Sequence, residues 1–134
     1  MVAKRFQDLE AWQLANDVKR EVFALTESGP ASRDFEFRDQ IRRSAASAPR
    51  NIAEGFGRFR PKEFARGCEV ANGELQETGH GLGDGKERKY LTSESADRVI
   101  ALTIRARMVN TRLLLYLRTC KEPKPRRRHK GART

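Results

Sequence analysis

Long apolar runs, cysteine, histidine and acidic side chains are all scarce in this chain, and each shortage removes a class of function. No segment approaches the ~20 consecutive apolar residues of a membrane-spanning helix. The opening residues, Met-Val-Ala-Lys-Arg-Phe-Gln-Asp, lack the apolar centre of a secretory signal. The expectation is a cytoplasmic protein with no membrane partner. The two cysteines, Cys68 and Cys120, fall in separate predicted helices and are expected to be reduced thiols used as small packing residues. His80 and His129 share no C-x-x-C or H-x-x-x-H spacing with them, and a di-iron bundle needs Glu-x-x-His on two helices, which the chain does not have. No metal, no cofactor and no catalytic residue is expected.

What the chain does have is positive charge. Lysine and arginine number 28 against 18 acids, a net +10. The last fourteen residues hold seven basic side chains against one acid, Glu122, and so carry +6 of that total. A second basic group, Arg42, Arg43, Arg50, Arg58, Arg60, Lys62 and Arg66, sits in the middle of the sequence. Phosphate contacts need no more than this, and each neutralised phosphate adds salt dependence. Base-specific readout has no support, because helix-turn-helix, zinc-finger and RNP-type patterns are absent. The residues assigned to nucleic-acid contact are Arg42, Arg43, Arg50, Arg58, Arg60, Arg126, Arg127 and Arg128.

Four amphipathic patterns follow one another, and no strand-like alternation competes with them. The first places Ala11, Leu14, Ala15, Val18, Val22 and Leu25 on one stripe, capped by Asp8 and stopped at Ser28-Gly29-Pro30. The second runs through Phe37, Ile41, Ser44, Ala45, Ala48, Ile52, Gly55 and Phe56, with Arg43, Arg50 and Glu54 on the opposite side and Pro49 predicting a bend. After a turn at Gly57-Arg58-Phe59-Arg60, Pro61 opens the third, with Phe64, Cys68, Ala71, Leu75, Thr78 and Leu82 inward. Its glycines, Gly73 and the alternating Gly79 to Gly85, predict a second half that is frayed, bent or held only by packing. That run matches no phosphate-binding loop, since it has neither G-x-G-x-x-G spacing nor a preceding strand. The fourth is capped by Thr92 or Ser93, buries Val99, Leu102, Ala106, Val109, Leu113, Leu114 and Leu117, and ends at Pro123. The fold class is all-α, an up-down antiparallel four-helix bundle over residues 1–120, followed by a basic tail, 121–134, expected to be disordered when free.

The first and fourth helices carry more apolar surface than one bundle face needs. Leu9, Trp12 and Phe23 on the first, and Ile100, Ile104 and Met108 on the fourth, are assigned to an interface between copies.

Three stretches resemble a known family: Phe6-Gln-Asp-Leu-Glu-Ala-Trp-Gln13, Gln40-Ile-Arg-Arg-Ser-Ala-Ala-Ser-Ala-Pro-Arg-Asn-Ile-Ala-Glu-Gly55, and Lys62-Glu-Phe64 with Ala71-Asn-Gly-Glu-Leu-Gln-Glu-Thr78. They are similar to the four-helix-bundle proteins encoded in 23S rRNA intervening sequences, relatives of the accessory variability determinants of diversity-generating retroelements. The resemblance implies a homopentameric, barrel-like ring with a basic surface and no catalytic site, and in the retroelement branch association with a reverse transcriptase and its RNA. It departs at Glu74, where a small residue is usual, and in the glycine run 79–85. The reading is a non-enzymatic, homo-oligomeric binder of nucleic acid, structured RNA or a hybrid duplex, through its basic surface and tail, with RNA ahead of DNA. The alternative is a protein-interaction scaffold that docks a partner such as a reverse transcriptase.

Overall fold

The computed structural model describes residues 3–124, and the described residues form helices and turns without a strand. A single 3-10 turn, Phe6–Asp8, leads into α1, Glu10–Leu25. Asp8 does not cap α1. The turn carries it one residue too early, Leu9 takes the capping position, and Asp8 pairs with Arg5 at 3.4 Å instead. Thr26 closes α1 by returning its hydroxyl to the Val22 carbonyl at 2.8 Å, three residues before the expected stop. Gly29, at φ 73°, turns the chain into α2, a single helical turn Pro30–Arg33 in what the sequence suggested was plain connection.

Helix α3, Phe35–Gly57, begins at Asp34, whose carboxylate accepts the Phe37 amide at 3.1 Å. The Tyr90 hydroxyl donates to the same carboxylate at 2.9 Å, and Arg88 lies 3.5 Å from it. The Phe37 amide first, then the Tyr90 hydroxyl, with Arg88 adding its charge, hold the Asp34 carboxyl below its ordinary range. Pro49 sits buried inside α3, and the helix runs on past it. Helix α4, Pro61–Glu87, and α5, Ser93–Thr119, complete the chain, with Thr92 capping α5 through the Ser95 amide at 3.1 Å.

In the bundle α1 packs on α3 and α5, and α4 packs on the same two from the other side. The pairs Glu21–Arg98, late α1 on early α5, and Glu69–Arg118, early α4 on late α5, reflect the antiparallel run of α5 against both neighbours. The core is Val18 and Val22 from α1, Ile41, Ala45, Ala48 and Ile52 from α3, Leu75 and Leu82 from α4, and Val99 and Ala106 from α5. Each large side chain among them contributes roughly 1.5–3 kcal/mol by leaving water. A smaller cluster of Ala65, Cys68, Leu114 and Leu117, roofed by Phe64 and Leu113, fills the space where α4 begins and α5 ends.

Helix α4 is not frayed. It is continuous to Glu87 because most of its glycines face neighbours that come too close for a side chain. A Cβ on Gly85 would lie 2.8 Å from the Phe37 ring, and one on Gly67 would lie 2.5 Å from the Asn51 carbonyl oxygen. Gly73 and Gly83 differ, since a Cβ there meets nothing within 4 Å. Gly73→Ala and Gly83→Ala therefore each add about 0.5–1 kcal/mol of stability through helix propensity alone. Thermal melts should show a rise of about 3 °C per substitution, and a fall at either position would contradict the packing described.

Several polar groups inside the bundle are paired across helices, although Asn110 Oδ1 has no partner. The Ser44 and Thr78 hydroxyls meet at 2.9 Å between α3 and α4. Asn110 on α5, fully buried, donates to the Cys68 carbonyl at 2.8 Å and to Asn72 Oδ1 at 2.9 Å on α4, and Asn72 in turn donates to Thr111 at 3.0 Å.

Candidate nucleic-acid interface

At one end of the bundle α3 finishes, α4 starts, α5 finishes and the chain enters α1. The turn from α3 to α4 is Arg58-Phe59-Arg60. Arg58 is still helical, Phe59 takes a left-handed backbone at φ 59°, and Arg60 is extended and leads into Pro61. Arg58, Arg60, Lys62 and Arg66 are all exposed, and so are Lys4, Arg5, Lys121 and Lys124. Among the described residues Arg5 alone of these eight makes an ion pair, the one with Asp8. Glu122 is occupied too, because its carboxylate accepts the Lys62 amide at 2.7 Å and closes the open N-terminus of α4. The expected phosphate-binding Arg58 and Arg60 thus stand among other exposed basic side chains, beside a cleft of about 290 Å³ in which Arg58 and Arg66 share the lining with Glu54 and Glu63.

The other assigned arginines are distributed differently from the sequence reading. Arg43 and Arg50 are exposed on α3 as expected, but the groove they line between α3 and α4 also holds Glu36, Asp39, Glu74 and Glu77. With two guanidinium groups among four carboxylates, the charge of this groove is mixed and net acidic. Desolvation first, and then the charge of Glu77, push the Glu74 carboxyl above its ordinary value, with Arg50 opposing. Arg42 is half-buried and its guanidinium is engaged. It donates to Thr26 Oγ1 at 2.8 Å and to the Phe23 carbonyl at 3.4 Å, and its guanidinium lies over the Phe23 ring at 4.8 Å, tying α3 to α1. Arg126, Arg127 and Arg128 lie outside the described residues.

The residues assigned to contacts between copies also divide. Leu9, Trp12 and Ile100 pack at the edge of the core, with Trp12 edge-on to Phe6 at 5.1 Å, and the half-buried Phe23 carries the Arg42 guanidinium. These four already have partners within the chain. Ile104 and Met108 stay bare, 51% and 55% exposed, with Leu115 at 54% on the same face of α5. Three residues on one face is a narrower strip than the double-faced helices suggested.

His80 is exposed, and Asp84, four residues on, pairs with Arg88 at 3.2 Å rather than with it. Glu77 and His80 are one helical turn apart, but among the described residues no three His, Cys, Asp or Glu side chains come close enough to hold a metal ion. Burial pushes the Cys68 thiol up to about 12, so it is a packing residue and not a nucleophile at neutral pH. No helix among the described residues is long and apolar enough to cross a membrane.

The sequence reading passed over Phe59 and Glu122. An aromatic set between two arginines at the tip of a turn was a signal for the first. The cap made by Glu122 joins positions sixty residues apart and left no local trace.

Comparison with known proteins gives two findings. The bundle is similar to the crystal structure of a protein of unknown function from the S23 ribosomal protein family of Bacteroides thetaiotaomicron. The identity is 21%, the match covers 81% of this chain and 95% of that one, and the TM-score is 0.63. At that identity the likeness speaks for the fold. No curated protein matches the sequence. The profile of the family described as 23S rRNA-intervening sequence protein matches residues 7–111, which takes in α1 to α4 and most of α5. On that match, this chain belongs to the 23S rRNA-intervening sequence protein family.

Proposed function

We propose that this chain is a non-enzymatic RNA-binding bundle that grips phosphates at the end formed by the α3–α4 turn and associates with copies of itself through α5. The observation that carries the reading is the gathering of eight exposed lysines and arginines at one end, seven of them without an ion pair among the described residues. RNA is the polyanion named because the family is described by 23S rRNA. The bare strip of Ile104, Met108 and Leu115 supports self-association, since water-facing apolar side chains in line on one helix are what a sister subunit covers. A reverse transcriptase docked on that strip is the alternative occupant.

Sedimentation velocity with a labelled RNA tests both parts together. The expected result is an oligomer in the absence of RNA, and RNA affinity falling about a hundredfold as salt rises from about 50 to about 200 mM, as for roughly five phosphate contacts on a single strand. Salt-insensitive or absent binding to every RNA tried overturns the first part. A clean monomer at micromolar concentration overturns the second.

A further inference from the structure

Among the exposed large apolar side chains of the described residues, Phe59 is the most exposed, at 81%. It is also in the wrong backbone conformation for its type. At φ 59° a bulky L-residue is strained where glycine is not, and among the described residues the one other non-glycine at positive φ is Lys89, at φ 61° just past the end of α4. The ring gives nothing back in packing. Directly beneath it Phe56 and Phe64 stack edge-on at 5.7 Å, and Phe59 is left out of that pair. Strain held at an exposed tip, with no contact to offset it, points to a ligand.

The surroundings say which kind. Arg58 and Arg60 flank the ring, Lys62 and Arg66 follow on α4, and none of the four is paired among the described residues. An apolar partner would find cations around the ring. A single strand of RNA offers what this turn lacks, an unpaired base whose flat face can lie on a phenyl ring and phosphates on either side of it. In a duplex those faces are already stacked.

We propose that Phe59 is a stacking platform for an unpaired base of single-stranded RNA, with Arg58 and Arg60 taking the adjoining phosphates. This rests on the RNA-binding reading above and adds the form of RNA that is preferred.

Phe59→Gly and Phe59→Trp in the full chain test it, using a labelled oligouridylate, a blunt RNA duplex of equal charge and polyglutamate as probes at one fixed salt concentration. Phe59→Gly is expected to melt at the same temperature as the parent or higher, because glycine accepts the left-handed turn. It should lose about tenfold in affinity for the single strand, leave duplex affinity within about twofold, and keep the same salt slope. Phe59→Trp should retain single-strand binding. Equal losses on strand and duplex, no loss on either, or a lowered melting temperature overturn the platform while leaving RNA binding intact. Polyglutamate that binds as tightly as the strand and depends equally on Phe59 overturns it in favour of an acidic protein partner. A parent chain that binds no RNA overturns both readings.

Discussion

Asn110→Asp lowers the stability of the fold by about 4 kcal/mol at neutral pH, although it changes one amide nitrogen to oxygen. Asn110 is fully buried on α5, and both of its N–H groups are used, one on the Cys68 carbonyl and one on Asn72 Oδ1. An ionised aspartate has no hydrogen to give, so the one carboxylate oxygen in place of the amide nitrogen would face two acceptors inside the bundle, and the other would occupy a place where the amide oxygen already has no partner. The variant should recover part of the loss in acid. A carboxyl raised by burial keeps its proton in the folded state above the pH at which the unfolded chain, near about 3.9, gives it up. Its destabilisation is therefore smallest below that pH and grows as pH rises. Urea unfolding of parent and variant at acid and neutral pH measures both. A loss under about 1 kcal/mol, the worth of an ordinary hydrogen bond, would mean that Asn110 is not the cross-helix tie described.

Gly67→Ala is the second large effect, a loss of about 3 kcal/mol. The added carbon would sit 2.5 Å from the Asn51 carbonyl oxygen and 3.3 Å from the Gly55 Cα, both backbone atoms of α3. No rotamer change relieves a clash with backbone, so α3 and α4 must move apart at the crossing where Gly55 already lies close to Phe64. The better helix propensity of alanine returns about 1 kcal/mol of the cost. The contrast with Gly73→Ala, six residues along the same helix and opposite in sign, is the sharpest check on the packing. A stabilised Gly67→Ala in calorimetry would show that the two helices do not meet there.

The helices were legible where their residues announce themselves. The stripes of α1 and α3, Pro61 at the start of α4 and Thr92 at the start of α5 are local patterns, and the structure keeps them. What escaped the sequence is what depends on neighbours. The inward line of α5 passes through Thr103 and Asn110, with Leu102, Val109 and Leu113 half-buried beside it. A hydrophobicity pattern cannot mark a buried asparagine whose partners lie about forty residues away. The glycines of α4 read as weakness because the close faces of Phe37, Ile41 and Asn51 cannot be seen from α4 itself. Arg42 and Arg43 are adjacent and chemically identical, yet a rotation of about 100° between successive residues sends one under α1 and the other outward. Of the candidate interface, Arg58 and Arg60 are exposed, whereas Arg43 and Arg50 face Glu36 and Asp39 of their own helix and Glu74 and Glu77 of α4, and only the pair on α4 lay out of sight of the α3 pattern.

Asp34 gives the bundle a direction. One carboxylate joins the Phe37 amide in the first turn of α3, the hydroxyl of Tyr90 after α4 and the guanidinium of Arg88, so at that end two connections are riveted to a single point. Its ionised form is favoured by all three, and the rivet survives moderate acid. The helices of 27 residues run about 40 Å to the opposite end. There the α3–α4 turn has a tie of its own, the Lys62 amide on Glu122, so the two ends of the bundle are fastened by separate carboxylates.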